Sequence, residues 1–271
     1  MAHPPSTRTQ SRSSGGFVRS TPGSHSLERG LELLRAFRLG VGVLGNAELA
    51  ARTGLPRPTV SRLTRSLVDA DFLVYDHGEQ GYRLTPAFLS LALAYRSAET
   101  PLDAALPLMR ALAEGRRVNV GMAMADQLEM VYLDSVRLSR IGLFRRIVPG
   151  SRIPIAETAL GCAFLAGLAA PARTALLARL RQAHGEAWPP LLKGVEERLQ
   201  SVHVHGYCCA FWHAGLASVA VPLRTTTGRL YALNVSFPVP TALAPKVIEE
   251  HAALVLQLAI DIAARWAIAV P

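Results

Sequence analysis

Between Asn46 and Leu67, apolar or small residues fall at positions 49, 50, 55, 60, 63 and 67, the spacing of two short helices set across a corner. Gly54 sits where such a corner needs a backbone free to take positive φ. Ala50 is small at the point where the two helices cross. Pro56 and Pro58 bracket the next start, and Pro58 fits the opening turn of the second helix, where its missing N–H has no partner to lose. The pattern predicts a helix-turn-helix. Upstream, Ser26 to Arg38 places Leu27, Leu31, Leu34 and Phe37 on one expected inner face, with Ser26 as N-cap. Downstream, residues 72–85 contain two β-rich runs around the polar loop HGEQG, which predicts a hairpin. Three helices and a hairpin make a winged helix-turn-helix over residues 24–86.

The next segment, PAFLSLALAY (86–95), is too apolar to stand in water on all sides. It predicts a connecting helix, assigned to residues 87–100, packed against a second subunit. Thr100-Pro-Leu-Asp103 then reads as a fresh helix start, with Thr100 as N-cap. Beyond it, strands are expected at 118–125 and 128–136 with a turn at Asp126-Gln127, and a third strand at 139–147. Helices follow at 156–168, 171–182 and 191–201, then strands at 218–223 and 230–237 joined at Thr227-Gly228. A final helix covers 244–266. The fold class is therefore α+β, with residues 101–271 forming an antiparallel sheet covered by helices. Residues 1–23, rich in Ser, Pro, Gly and Arg, read as a disordered basic arm without the apolar core of a signal peptide.

Charge sharpens the picture locally. The formal net charge is +9, yet residues 24–95 carry eight arginines against seven acids, so bulk basicity says little about this domain. No acid lies between Glu48 and Asp69, a stretch holding Arg52, Arg57, Arg62 and Arg65. With Val60, Leu63 and Leu67 turned inward, Arg57, Pro58, Thr59, Ser61, Arg62 and Arg65 are left to meet phosphates and base edges of double-stranded DNA. Tyr82 and Arg83 on the hairpin would add backbone or minor-groove contacts.

Three cysteines, two of them adjacent, make no disulfide framework, and a reducing cytoplasm is the expected setting. No membrane-spanning segment is expected. His203 and His205, read on one face of a strand, would form with Cys208, Cys209 and His213 a set of five soft ligands, the basis of an alternative metal-responsive regulator. Their spacing matches no established zinc pattern, so no metal is assigned. A cysteine-dependent hydrolase built on Cys208 or Cys209 is the alternative of another class, but it lacks a recognisable orienting group and oxyanion site. No phosphate loop or dinucleotide fingerprint is present; neither enzymatic activity nor a cofactor is expected.

Several strings in order resemble the IclR family of bacterial transcription regulators: SLERGLELLRAF, ELAARTGLPRPTVSRLTRSL, YRLTPAFLSLALAY, GSRIPIAETALGCAFLAGL, GYCCAFWHAGLASVAVPL and GRLYALNVSFP. The resemblance runs from Ser26 almost to the C-terminus. It implies a linker helix and a C-terminal, GAF-like effector-binding domain. It also implies a homodimer or dimer of dimers on an inverted-repeat operator, answering to small carboxylates or aromatic catabolites. Carried over by position, Thr158, Ala159 and Gly161 open a helix facing an anion, and Ser218, Asn234 and Ser236 offer polar groups. Gly121 and Met122 would line the opposite wall. After the glycine-tyrosine pair, relatives carry acids where this chain has Cys208 to His213, a departure that favours an apolar or aromatic effector or a pocket that has lost its usual ligand. Repressor and activator both fit this reading.

Overall fold

The computed structural model describes residues 23–137, 147–213, 215–239 and 245–268, without the side chains of Trp212 and His213. Most of the expected basic arm and of the expected strand at 139–147 lie outside the described residues. The chain divides into two compact units, residues 1–91 and 92–271.

The first unit contains α1 (His25–Arg35), α2 (Asn46–Thr53), α3 (Arg57–Asp69), β1 (Leu73–Asp76) and β2 (Gly81–Leu84). Gly54 closes α2 at φ +69°, its N–H bonded to the Ala50 carbonyl at 2.9 Å. Pro56 caps α3 and Pro58 sits in its first turn. Leu33, Leu44, Leu49, Val60 and Leu73 are almost fully buried, each contributing about 1.5–3 kcal/mol by leaving water. Helix α1 departs from expectation in two respects. Ser24, rather than Ser26, caps it by accepting the Leu27 N–H at 3.4 Å. Its buried face carries Gly30 and Leu33, whereas Leu27 and Leu31 point outward, 63% and 50% exposed. Leucines at 27, 31, 33 and 34 permit more than one helical phase, and only packing chooses between them. The hairpin is held to the helices by Leu44, which exchanges two backbone hydrogen bonds with Tyr82 at 3.1 and 2.9 Å.

Helix α4 (Ala87–Ser97) follows, and none of its residues is buried within the chain. Then come α5 (Thr100–Arg116), β3 (Asn119–Asp126), β4 (Glu129–Val136), β5 (Arg152–Pro154), α6 (Ala159–Gly167), α7 (Ala170–His184) and α8 (Trp188–His205). Strands β6 (Cys208–His213), β7 (Leu216–Arg224) and β8 (Leu230–Pro238) and helix α9 (Pro245–Ile268) complete the second unit. The sheet order is β5-β4-β3-β8-β7-β6, with every neighbouring pair antiparallel. Val120, Met122, Val219, Tyr231 and Leu233 face α5 and α9. Their alternates, Ala123, Ala220 and Ala232, face α6 to α8. The fold is α+β, with an N-terminal helix-turn-helix region and a C-terminal antiparallel sheet flanked by helices.

Three features of this unit differ from the sequence reading. β5 and β6 are edge strands, too short or too irregular to show a clean alternation. α8 runs on to His205 and ends at Gly206, which takes φ +81° and donates to the Val202 carbonyl at 2.9 Å. His203 and His205 therefore lie on a helix, not a strand, and point in different directions.

Small residues let α6 lie close to the chain before it. A Cβ on Gly161 would stand 2.0 Å from the Ile155 carbonyl oxygen. Gly161→Ala is accordingly expected to destabilise the protein by about 1–3 kcal/mol through overpacking, against a helix-propensity gain of about 1 kcal/mol. Urea unfolding should show a lower midpoint at unchanged slope; an unchanged or higher midpoint would contradict the close packing.

Candidate DNA-reading surface and effector cavity

The surface of α3 follows from its amphipathic phase. Val60, Leu63 and Thr64 are buried, leaving Arg57, Pro58, Ser61, Arg62 and Arg65 exposed and Thr59 half-buried. Thr64 is satisfied inside, its hydroxyl donating to the Ser61 carbonyl at 3.1 Å and reaching Asn46 Oδ1 at 3.5 Å. Among the described residues, no carboxylate forms an ion pair with Arg57, Arg62 or Arg65. Arg52 is spent on structure: its Nη1 donates to the Ala36 carbonyl at 3.2 Å.

Hairpin residues contribute differently. Arg83 pairs with Asp76 at 2.7 Å and Glu79 at 2.6 Å, so two carboxylates enclose its charge. The Asp76 carboxyl is held below its usual range by the Glu79 N–H and then by Arg83, and Arg83 is raised in turn by Asp76. Tyr82 is half-buried, its ring edge-to-face with Tyr75 at 5.1 Å.

In the second unit, a cavity of about 30 Å³ opens between the sheet and the N-terminus of α6, bordered by Tyr132, Arg137, Thr158, Ala159, Ser218 and Ser236. Asn234 lies behind the serines and orders them: its Nδ2 donates to Ser218 Oγ at 2.8 Å and to Ser236 Oγ at 2.7 Å. Ser236 then donates to Ser218 at 3.2 Å. Thr158 caps α6, accepting the Gly161 N–H at 3.2 Å and donating to the Pro154 carbonyl at 2.7 Å. Gly161 serves the helix packing described above. Gly121 lies beneath two neighbours, since a Cβ there would stand 2.5 Å from Tyr132 Cε1 and 2.8 Å from Asn234 Oδ1. Met122 is fully buried on the opposite sheet face, against α5 and α9.

Tyr132 and Arg137 complete the cavity wall, and neither stands out in the sequence. The Arg137 guanidinium stands 5.5 Å over the Tyr132 ring, and its Nε donates to Ser135 Oγ at 2.6 Å. Burial pulls Arg137 below its ordinary value and raises Tyr132. Strict alternation from Tyr132 would send Arg137 to the other face. A β-bulge intervenes: Ala123 pairs with Tyr132 but Met122 with Asp134, leaving Leu133 extra. The phase resets, and Ser135 and Arg137 join the face of Tyr132. A half-buried cation, two serine hydroxyls and a helix N-terminus thus meet at one cavity, an arrangement suited to an anion.

The histidines and cysteines do not converge. His203 and His205 are exposed on α8, while Cys208 is buried, its Sγ 3.4 Å from the Ala159 carbonyl oxygen. Cys209 turns to the other sheet face. Among the described residues no group of three metal-ligating side chains forms, and the His213 side chain lies outside them. The metal-responsive alternative is thereby unsupported. Burial raises the Cys208 thiol well above its ordinary value and lifts Cys209 to about 11, the reverse of what a nucleophilic cysteine needs.

A winged helix-turn-helix followed by a helix-flanked sheet around a polar-walled cavity defines the class of two-domain transcriptional regulators. Residues 26–77 match the profile described as the IclR helix-turn-helix domain, and residues 99–264 the one described as bacterial transcriptional regulator IclR C-terminal. The chain belongs to the IclR family of transcriptional regulators. It is 32% identical over 184 residues to the HTH-type transcriptional regulator TsaQ1/TsaQ2 of Comamonas testosteroni, a match covering 68% of this chain and 66% of that one. A crystal structure of an IclR family transcriptional regulator from Brucella abortus is 34% identical with a TM-score of 0.81, covering 95% of this chain and 97% of that one. An IclR homologue from Microbacterium hydrocarbonoxydans, complexed with 4-hydroxybenzoate, shares the fold at 20% identity and a TM-score of 0.66, covering 90% of this chain and all (100%) of that one. The matched relatives named here are regulators, not enzymes.

The buried thiols give a direct check. At pH 8, alkylation of Cys209 in the folded protein should be about 100-fold slower than in the unfolded chain, because the thiolate fraction falls tenfold for each unit its pKa rises. The rate should climb with pH toward about 11. Alkylation at the unfolded rate would contradict the burial described.

Proposed function

We propose that this chain is a cytoplasmic regulator that binds an inverted-repeat operator in double-stranded DNA through α3 and is switched by a small organic anion in the second unit. The observation that carries the DNA reading is an α3 surface with three exposed arginines and no described carboxylate paired to them. Arg57, Thr59, Ser61, Arg62 and Arg65 supply guanidinium forks and hydroxyls for base edges and phosphates, with Pro58 at the helix entry. Tyr82 and Arg83 are secondary, since Arg83 reaches phosphate only by exchanging carboxylates for it.

Two copies pair through α1 and α4. Leu27, Leu31, Leu89 and Leu91 are each at least half exposed in the single chain, apolar surface that a second copy would cover. Paired recognition helices then meet major grooves about 34 Å apart. No helix among the described residues is long and apolar enough to cross a membrane.

The effector class follows from the cavity wall. Arg137, Ser218 and Ser236 suit a carboxylate, and Tyr132 suits an aromatic body. An effector bound there moves the equilibrium only through its differential affinity for the two states. The 4-hydroxybenzoate held by the Microbacterium homologue makes that compound a natural first probe.

Two measurements test the proposal. Arg62→Ala combined with Arg65→Ala should weaken operator binding and reduce the salt slope by about two units, roughly 0.9 for each phosphate no longer neutralised. Unchanged affinity and slope would remove α3 from the interface. Calorimetry with 4-hydroxybenzoate should show binding that Arg137→Ala weakens about tenfold or more, as expected for loss of a charge-assisted bond. Failure of benzoates to bind the unaltered protein, or indifference to Arg137→Ala, would overturn the effector class.

A further inference from the structure

A buried carboxylate joins the connecting helix to the strand that borders the cavity. Glu99 lies between α4 and α5 and is 1% exposed. Its Oε2 accepts the Tyr231 hydroxyl at 2.9 Å, and its Oε1 pairs with Arg229 Nη2. The backbone is fixed as well: the Glu99 N–H closes the last turn of α4 on the Arg96 carbonyl at 3.2 Å, and its carbonyl accepts from Leu102 at 3.0 Å. Trp266 Nε1 donates to the Pro101 carbonyl at 2.8 Å, with its ring 5.5 Å from that of Tyr231. Tyr231 faces α5 and α9, while Asn234 and Ser236 on the same strand turn to the cavity side.

Apolar side chains in place of both Glu99 and the Tyr231 hydroxyl would fill this corner without burying charge, so stability alone does not call for the pair here. What the ion pair and hydrogen bond add is a fixed geometry between the end of α4 and the start of β8. We propose that Glu99 is a positioning residue that makes α4 follow β8, so that a displacement of β8 at Ser236 is felt in the helix where the second unit begins. A strand bonded on both sides, to β3 and β7, moves as a rod, and three to five residues separate Tyr231 from the cavity groups. The regulatory use of this link rests on the effector reading above; the link itself does not.

The test needs no effector. Amide hydrogen exchange of residues 92–99 is measured in the full-length protein, in Ser236→Val, in Glu99→Gln and in the double variant. With Glu99 present, Ser236→Val should change that exchange about fivefold or more, and with Glu99→Gln the response should shrink below about twofold. A purely structural role would lower stability in Glu99→Gln yet leave the response intact. Tyr231→Phe, which removes only the hydroxyl, repeats the cycle should Glu99→Gln not fold. An equal response with and without Glu99, or none in its presence, overturns the proposal. Because benzoate calorimetry is a separate experiment, failure there with the exchange coupling intact would remove only the effector reading.

Discussion

Strand β8 is the constraint on which the second unit depends. It is buried from Leu230 to Phe237 with β3 on one side and β7 on the other, so neither its edges nor its faces reach water. Every polar group placed there must find a partner within the protein or carry a steep desolvation cost. Most of the strand meets this by being apolar. Tyr231 meets it through Glu99, and the Asn234 Nδ2 and the Ser236 hydroxyl through Ser218. One strand thereby supports an apolar core on one face and a polar cavity wall on the other. The cavity exists because β3, β7 and β8 present small side chains toward α6, which is held near by the missing Cβ of Gly161.

The first unit is organised by a simpler constraint, the corner between α2 and α3. Gly54 in the left-handed region and prolines at both ends of the next start fix where α3 begins, and burial of Val60 and Leu63 fixes which way it faces. The arginines of α3 then have only the outside. Electrostatics follows packing here: the basic surface is local, and the hairpin beside it carries a cation already enclosed by acids.

This division explains what can be read from the sequence. Gly54, Pro58 and the apolar spacing around them are local signals, and the helix-turn-helix is legible from them. Strand β3 is legible from its alternation, and β4, β7 and β8 from β-rich runs bounded by turn residues. Misplacement occurs where local pattern is ambiguous or where a distant residue decides. Leucines at 27, 31, 33 and 34 allow two phases of α1, and burial selects Leu33. His203 and His205 have strand-like spacing in a segment that α8 overruns as far as Gly206. Arg137 is invisible as a cavity residue because a bulge at Leu133 reverses the alternation beyond it, and nothing local announces the bulge. Of the residues suggested by family resemblance, Thr158, Ala159, Ser218 and Ser236 border the cavity and Asn234 orders its wall, while Met122 lies across the sheet.

In the proposed complex, paired α3 helices read the DNA. Selection of full-length protein against a pool of random duplexes, followed by sequencing of what it retains, tests this most directly. The expected result is enrichment of an inverted repeat with half-site centres about one helical turn, roughly 10 base pairs, apart or a multiple of that spacing. Retention without sequence enrichment, or enrichment of an isolated half-site alone, would contradict it.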